Sequence, residues 1–393
     1  MSFINEISTL IKKNMRDYGM YLALAVIIGF FTIKTDGLFL VSRNVSNWIN
    51  QTGYVAALAV GMTLVLIIRE IDISVGYLCG FIGAVAAIAL TKWKLDWGTS
   101  IAISLLVGLL VGMLYGFLIG RLHVPSFVVT LAGMLVFRGL MLYVTEGTGT
   151  IIVSNDKFNA LSNGFIPDLG MVGKFHLLTL IIGCIGIICF IFLQINARNN
   201  QKKYNFEVLS MPIFIIKLTF ISAIIAYIDI ILAGYRGISW TLVIVLVIVI
   251  IYHFMMNKTP LGRHIYGVGG NAQAAELSGI NVQKITFFVY SSMGLLTAVA
   301  GILTTARFKS ATPTAGTAYE MDAIAAAYVG GVSASGGIGK VTGSIVGAFV
   351  MSSLNNGMNL MGVGISWQYV IKGIILVLAV LFDITARKSK KTA

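Results

Sequence analysis

Charged residues are scarce in this chain. They make up 11% of its 393 residues, against 57% hydrophobic, where a soluble globular domain carries about 25% charged residues. That scarcity excludes a soluble one- or two-domain protein and predicts a chain embedded in a bilayer. Cysteine is nearly absent. Cys79, Cys184 and Cys189 all fall inside apolar runs with no ligand residues beside them, which argues against a disulfide framework or a metal centre and reads as buried packing thiols. The histidines, His123, His176, His253 and His264, are scattered and show no helical ligand spacing for zinc. No serine–histidine–acid or cysteine–histidine arrangement is readable, so neither a catalytic nor a metal role is assigned and an enzyme is not expected.

What is abundant is apolar sequence. Runs near 18–33, 53–68, 76–91, 99–120, 127–145, 175–195, 211–232, 240–256, 285–305, 322–339, 342–362 and 366–383 give about twelve candidates for spans of about 20 residues. Several are too short to cross straight and are expected to be tilted, broken or re-entrant. The net charge of +13 would suit a nucleic-acid binder, but the basic residues sit in short loops between the runs. They read as topology, not as a nucleic-acid surface. With the N-terminus inside and the spans alternating, Arg69, Arg121, the Arg198–Lys203 loop, the Lys258–Lys284 loop, Lys340 and the basic tail fall on one side and outnumber the basic residues on the other. Both termini are therefore expected in the cytoplasm. The start of the chain leads into its first apolar run without a small-residue cleavage signal and reads as an uncleaved first span. The division expected is a cytoplasmic segment 1–17, a single transmembrane domain 18–383 with an inner loop 257–284, and a basic cytoplasmic tail 384–393. The longest outer segment, about 146–174, is long enough to act as a lid or meet a partner.

The inner loop holds the stretch GGNAQAAELSGINVQKI, Gly269 to Ile285. Asn271 suits an N-cap, the alanines that follow are the best helix formers, and Gly279 suits a left-handed stop. The result is a helix of about two turns, marginal on its own in water. Either it lies on its own protein or it docks into a partner and transmits motion.

Two glycine-rich stretches fail as nucleotide sites. In ASGGIGKVTG, Ala334 replaces the first glycine of a phosphate loop and Val341 stands where a serine or threonine would hold magnesium. In GVGGNA, Ala272 occupies the last glycine position of a dinucleotide fingerprint. Gly339, Gly343 and Gly347 recur every fourth residue and read instead as close helix contacts.

The loop LGRHIYGVGGNAQAAELSGINVQKI resembles the cytoplasmic coupling segment of permease subunits in sugar-uptake ABC transporters of the ribose/xylose/galactoside type. LVLIIREIDISVG (Leu64–Gly76), VPSFVVTLAGMLVFRG (Val124–Gly139), EMDAIAAAYVGGVSASGGIGKVTGSIVGA (Glu320–Ala348) and WQYVIKG (Trp367–Gly373) extend the resemblance from about residue 35 to 383. FLVSRNVSNWINQT and the extra apolar pair within 175–232 are similar to the xylose-type members. The resemblance implies an all-α integral membrane bundle of about ten to twelve transmembrane helices in the bacterial plasma (inner) membrane. It also implies a homodimer with a second permease copy, a cytoplasmic ATPase subunit that binds ATP and magnesium, and an extracytoplasmic sugar-binding protein that delivers the cargo. This chain would itself bind no cofactor. The coupling role carries over to Gly269, Asn271, Ala274, Ala275, Glu276, Leu277, Gly279 and Ile280. Ala275 and Gly279 suit close packing, Leu277 and Ile280 suit apolar anchors, and Glu276 suits a basic groove. The cargo implied is a pentose, D-xylose first, with ribose and galactose as alternatives. An ion-gradient-driven secondary transporter is the rival, and it would need a titrating residue near the midplane.

Charges inside apolar sequence are costly and usually pair or line a cavity. Arg69, Glu70 and Asp72 interrupt one stretch, and either a helix-end ion pair with Arg69 or a bend near the pathway explains them. Arg138 is expected to pair with an acid from another helix. Lys372 lies within a span. Glu320 and Asp322 repeat the Glu-x-Asp pattern and are expected at the outer side, facing the binding protein. A neutral sugar asks for hydrogen-bonding groups and aromatic faces, for which Asn355, Asn359, Trp367 and Gln368 are the pathway candidates beside Glu70, Asp72, Arg138 and Lys372. Capping and interhelical bonding are the alternative for each asparagine.

Overall fold

The computed structural model describes residues 15–206 and 208–391. Most of the expected segment 1–17 and the end of the tail 384–393 lie outside them. Among the described residues the chain is built of helices: α1 (Met15–Lys34), α2 (Ser42–Ile67), α3 (Val75–Thr91), α4 (Trp97–Gly120), α5 (Ser126–Thr145), α6 (Asp156–Asn163), α7 (Leu177–Lys203), α8 (Met211–Ala233), α9 (Trp240–Lys258), α10 (Pro260–Gly270), α11 (Ala272–Leu277), α12 (Val282–Phe308), α13 (Tyr319–Val329), α14 (Val341–Leu360) and α15 (Ile365–Lys391). Four two-residue strands complete it: β1 (Ile151–Ile152), β2 (Met171–Val172), β3 (Phe175–His176) and β4 (Ser310–Ala311). Among the described residues, α2, α4, α5, α7, α8, α9 and α12 are long and apolar enough to cross a membrane, and shorter apolar helices run over Gly19–Lys34, Val75–Thr91 and Ile365–Leu381.

The span expected over 322–339 is broken. Its helix, α13, has 11 residues and ends where the chain reaches Gly330 and Gly331, the latter at φ +88°. Residues 330–340 then turn back toward α14.

The chain divides into two compact units. The larger comprises residues 1–39, 48–163 and 241–393. Its centre is α12, which α3 and α4 pack against. The seam with α4 follows from Gly108, Gly112 and Gly116, placed every fourth residue. A methyl group at Gly108 would sit 2.5 Å from the Gly294 carbonyl oxygen, one at Gly116 would sit 2.7 Å from the Phe287 Cα, and one at Gly112 would strike the Tyr290 carbonyl. Small residues at this spacing bring two backbones into direct contact, which is how helices gain attraction in lipid. Hydroxyls pin α2 to α14: Thr63 bonds Ser344, Thr52 bonds Ser352 at 2.6 Å, and the Trp48 indole donates to Ser352 at 3.1 Å.

After β4 the chain does not stay at the bundle end. It runs along α3, where a methyl at Gly76 would lie 2.5 Å from the Gly316 carbonyl and one at Gly80 would strike the Ala315 carbonyl. It then starts α13 about half-way along α2, with the Tyr319 ring 4.4 Å from Tyr54. Non-helical backbone is tolerated at such depth because protein surrounds it.

At the far end of α12, β1 pairs with β4. Asn163 of α6 donates to the Ala306 and Arg307 carbonyls at 2.7 and 3.2 Å. Val153 and Phe158 are buried there beside Ala306 and Ala311. The first half of the segment expected as a lid is therefore packed down: its apolar side chains have a core to enter.

The smaller unit comprises residues 40–47 and 164–240, with α7 packed on α8 and a hairpin of β2 and β3. Asp168 caps α7, accepting from the Leu177 and Leu178 amides at 3.2 and 2.8 Å, and its carboxylate meets His176 Nδ1 at 3.0 Å. Arg198 donates to the Leu209 carbonyl at 2.6 Å and stacks 4.7 Å from the Phe214 ring centre. Cys184 and Cys189 are exposed on α7, contrary to the expectation of buried thiols, because α7 buries little of its surface within the described residues. Cys79 is buried.

Candidate functional site

The short helix of the inner loop forms as α11, six residues long. The Asn271 side chain accepts from the Ala274 amide at 3.0 Å. Gly279 takes φ +84°, and the bonds Gly279 N–H to Glu276 and Ile280 N–H to Ala275 close the last turn at 2.9 and 3.0 Å. That is the capping geometry that a left-handed residue allows. A methyl at Gly279 would meet nothing within 4 Å, so glycine here answers to backbone conformation rather than to close packing.

The faces of α11 differ from the expectation. Ala275 is buried in its own chain, which makes it an inward contact rather than a surface for a partner. Ile280 is half-buried with its Cδ1 near Gly267. Leu277 stands 91% exposed, and Ala274 and Glu276 share the open surface. An isolated leucine so fully in the open is an anchor without a pocket in this chain.

Gly269, at the end of α10, is packed so tightly that a methyl would collide with the Ile67 carbonyl. The expected ion pair of Arg69 with Glu70 or Asp72 is absent among the described residues. Arg69 donates instead to the carbonyls of Gly269 and Gly270, at 2.8 and 2.5 Å. The end of α10 has unsatisfied carbonyls, and a guanidinium fits them better than an acid that would have to be desolvated. Asp72 turns inward. It is buried, accepts from the Ser74 amide at 2.9 Å and the Ser74 hydroxyl at 2.7 Å, and burial pushes its carboxyl up to about 6. Burial raises Glu70 as well, with the Ser126 hydroxyl opposing the shift.

Lys372, Asp322 and Asn355 come together. Lys372 Nζ lies 3.0 and 3.1 Å from the two Asp322 carboxylate oxygens, and Asn355 donates to Asp322 at 3.2 Å. Asp322 is 2% exposed and Glu320 8% exposed. This corrects their expected place on the outer surface facing the binding protein: the chain carries both into the bundle at the start of α13, where Lys372 neutralises Asp322 and the Glu320 carboxylate lies against Gly76. Arg138 is exposed and has no acid partner among the described residues, contrary to expectation. Its guanidinium lies 5.7 Å from the centre of the Tyr77 ring. Gln368 donates to Asn359 and to the Val363 carbonyl, both at 2.9 Å, so this pair caps the turn between α14 and α15. Trp367 is exposed. Of the pathway candidates, Asn355 and Lys372 meet at Asp322 and Asn359 pairs with Gln368, while Arg138, Trp367 and the Glu70–Asp72 loop stand apart.

The glycines of ASGGIGKVTG serve packing. A methyl at Gly343 or Gly347 would strike the carbonyls of Gly330 or Ala326 on the neighbouring backbone. Sequence reading missed the Gly108–Gly112–Gly116 ladder, which carries the same spacing signal. It also missed the role of Tyr266, whose hydroxyl donates to the Gly339 carbonyl at 2.7 Å and which no local pattern marks.

Helices of membrane length, the half-length α13 set against α2 and α3, and the short capped α11 that leaves Leu277 in the open describe a helical membrane protein. Over residues 44–380 the chain matches the family described as branched-chain amino acid transport system, permease component, and it belongs to that family. It is 38% identical over 375 residues to the xylose transport system permease protein of Haemophilus influenzae, covering 95% of this chain and 98% of that protein. It is 38% identical to the Escherichia coli protein of the same name, covering 95% and 93%, and 34% identical to the ribose import permease protein of Escherichia coli, covering 92% of each. No solved structure matches the chain.

Proposed function

We propose that this chain is the permease subunit of an ATP-driven sugar importer in the bacterial inner membrane, and that its cargo is a pentose, D-xylose first. Near-complete coverage of the xylose and ribose permeases at 38% and 34% identity supports the cargo class. The observation that carries the mechanism is α11, capped at both ends, with Leu277 in the open. A cytoplasmic ATPase subunit, which binds ATP and magnesium in place of this chain, receives Leu277 in an apolar pocket and Glu276 against a basic rim. An extracytoplasmic binding protein delivers the sugar at the opposite end, and a second copy of the chain completes the pathway. Both termini then lie in the cytoplasm, as the distribution of basic residues supports.

Reconstitution tests this reading. Proteoliposomes holding the permease with its ATPase subunit and sugar-loaded binding protein are expected to accumulate xylose only with ATP inside the coupling compartment. Flux without the ATPase subunit, abolished by an uncoupler, would establish the ion-driven rival. Preference for ribose or galactose would revise the cargo alone.

A further inference from the structure

We infer that Arg69 is the positioning residue of a three-way joint that passes movement of α11 to the pathway helices; the inference rests on the coupling role proposed above. Three chain segments meet at this joint, and each fills the open hydrogen bonds of another. The end of α2 closes with the Glu70 amide on the Val65 carbonyl at 3.1 Å and the Arg69 amide on Leu66 at 3.0 Å. This turn needs a left-handed residue, usually glycine, yet Arg69 occupies it at φ +68°. Glycine would satisfy the turn. Arginine adds a side chain rooted in a fixed backbone, and that side chain holds the Gly269 and Gly270 carbonyls at the end of α10. A cation placed at the end of a helix also meets the negative pole of the helix dipole.

The third segment is the turn after α13. The Gly337 amide donates to the Ile67 carbonyl at 2.8 Å, and the Tyr266 hydroxyl of α10 donates to Gly339 at 2.7 Å. Gly336 and Gly337 take φ +73° and +70°. A methyl at Gly336 would lie 2.8 Å from the Gly269 carbonyl and 2.9 Å from the Ile67 carbonyl, and would strike the Arg69 side chain. No atom can be added without moving a backbone, so the three segments shift together or the bonds break. On one side of the joint, α10 leads into α11 through Asn271, whose amide stays bonded to Gly267 at 3.0 Å. On the other, α2 continues into the loop before α3, and the glycine turn runs between α13 and α14. A push on Leu277 therefore reaches α2, α13 and α14 through polar bonds at the helix ends.

The test uses the assembled transporter, with ATPase subunit and binding protein, and reads sugar molecules imported per ATP hydrolysed. Arg69→Ala is expected to keep the ATPase subunit bound and hydrolysis within about twofold of wild type, while import per ATP falls at least about tenfold. Arg69→Lys, which retains the charge but cannot reach two carbonyls with one planar group, is expected in between. Tyr266→Phe, which removes one bond and keeps the ring, is expected to lower the ratio severalfold and serves if Arg69→Ala does not fold. An unchanged ratio in an assembled Arg69→Ala or Tyr266→Phe transporter overturns the joint. If wild type itself shows no ATP-dependent import, the coupling reading fails, an outcome distinct from failure of the joint.

Discussion

At the scale of single residues, the buried ion pair is the most exacting feature. Asp322 is buried and Lys372 largely so, their side chains 2% and 11% exposed, and they hold each other with Asn355. A buried charge without its partner costs about 3–5 kcal/mol, whereas replacing both partners with apolar groups is often close to neutral. Lys372→Met alone is therefore expected to lose much of the folded protein, and Asp322→Leu with Lys372→Met to recover most of it. Thermal denaturation of the purified permease checks this, and a double variant as weak as the sum of the single ones contradicts it. Asp72 makes a different case, because no cation faces it among the described residues. Its carboxyl titrates near 6 folded, above the usual carboxylate value. The folded protein thus holds a proton that the unfolded chain releases between about pH 4 and 6. The stability from that proton is complete below about pH 4 and lost as pH rises through 6. Asp72→Asn can still accept both Ser74 bonds and is expected to flatten this dependence, gaining on the order of 3 kcal/mol above pH 7. Parallel pH curves for variant and wild type would refute the assignment.

At the scale of elements, glycine positions separate seams from open faces. Gly112→Val would drive a side chain into the backbone of α12, and overpacking of this kind costs about 1–3 kcal/mol or more. Gly139→Val on α5 meets nothing within 4 Å and is expected to fold normally. Expression and melting of the two variants side by side test the seam. Gly279→Val also meets open space, but a β-branched residue at φ +84° is strained. The expected result is a loosened α11, normal insertion, and ATP hydrolysis that no longer drives uptake. Legibility from sequence followed the same division. The membrane spans and α11 were readable because hydrophobic runs, Asn271 and Gly279 are local signals. The broken span at 330–340 and the inward course of 310–318 were not, since they depend on close backbone approach to α3 and α2. The partners of Arg69 are carbonyls 200 and 201 residues away, and Asp322 lies 50 residues from Lys372 and 33 from Asn355; no spacing rule reports carbonyls or such separations.

At the scale of the molecule, charge counting and packing converge on two ends of the larger unit. Arg69, Gly269 and Gly337 meet at one end of α12, and the Val153 amide bonds the Lys309 carbonyl at 2.8 Å at the other. In the orientation proposed above, the first end is the cytoplasmic one. Coupling through α11 depends on its sidedness and on what covers it. The direct measurement is Leu277→Cys, with Cys79, Cys184 and Cys189 replaced, probed with a membrane-impermeant maleimide. The expected result is no labelling in sealed cells, full labelling in inside-out vesicles, and protection once the ATPase subunit is bound. Labelling in sealed cells, or labelling of inside-out vesicles that the bound ATPase subunit leaves unchanged, would contradict it.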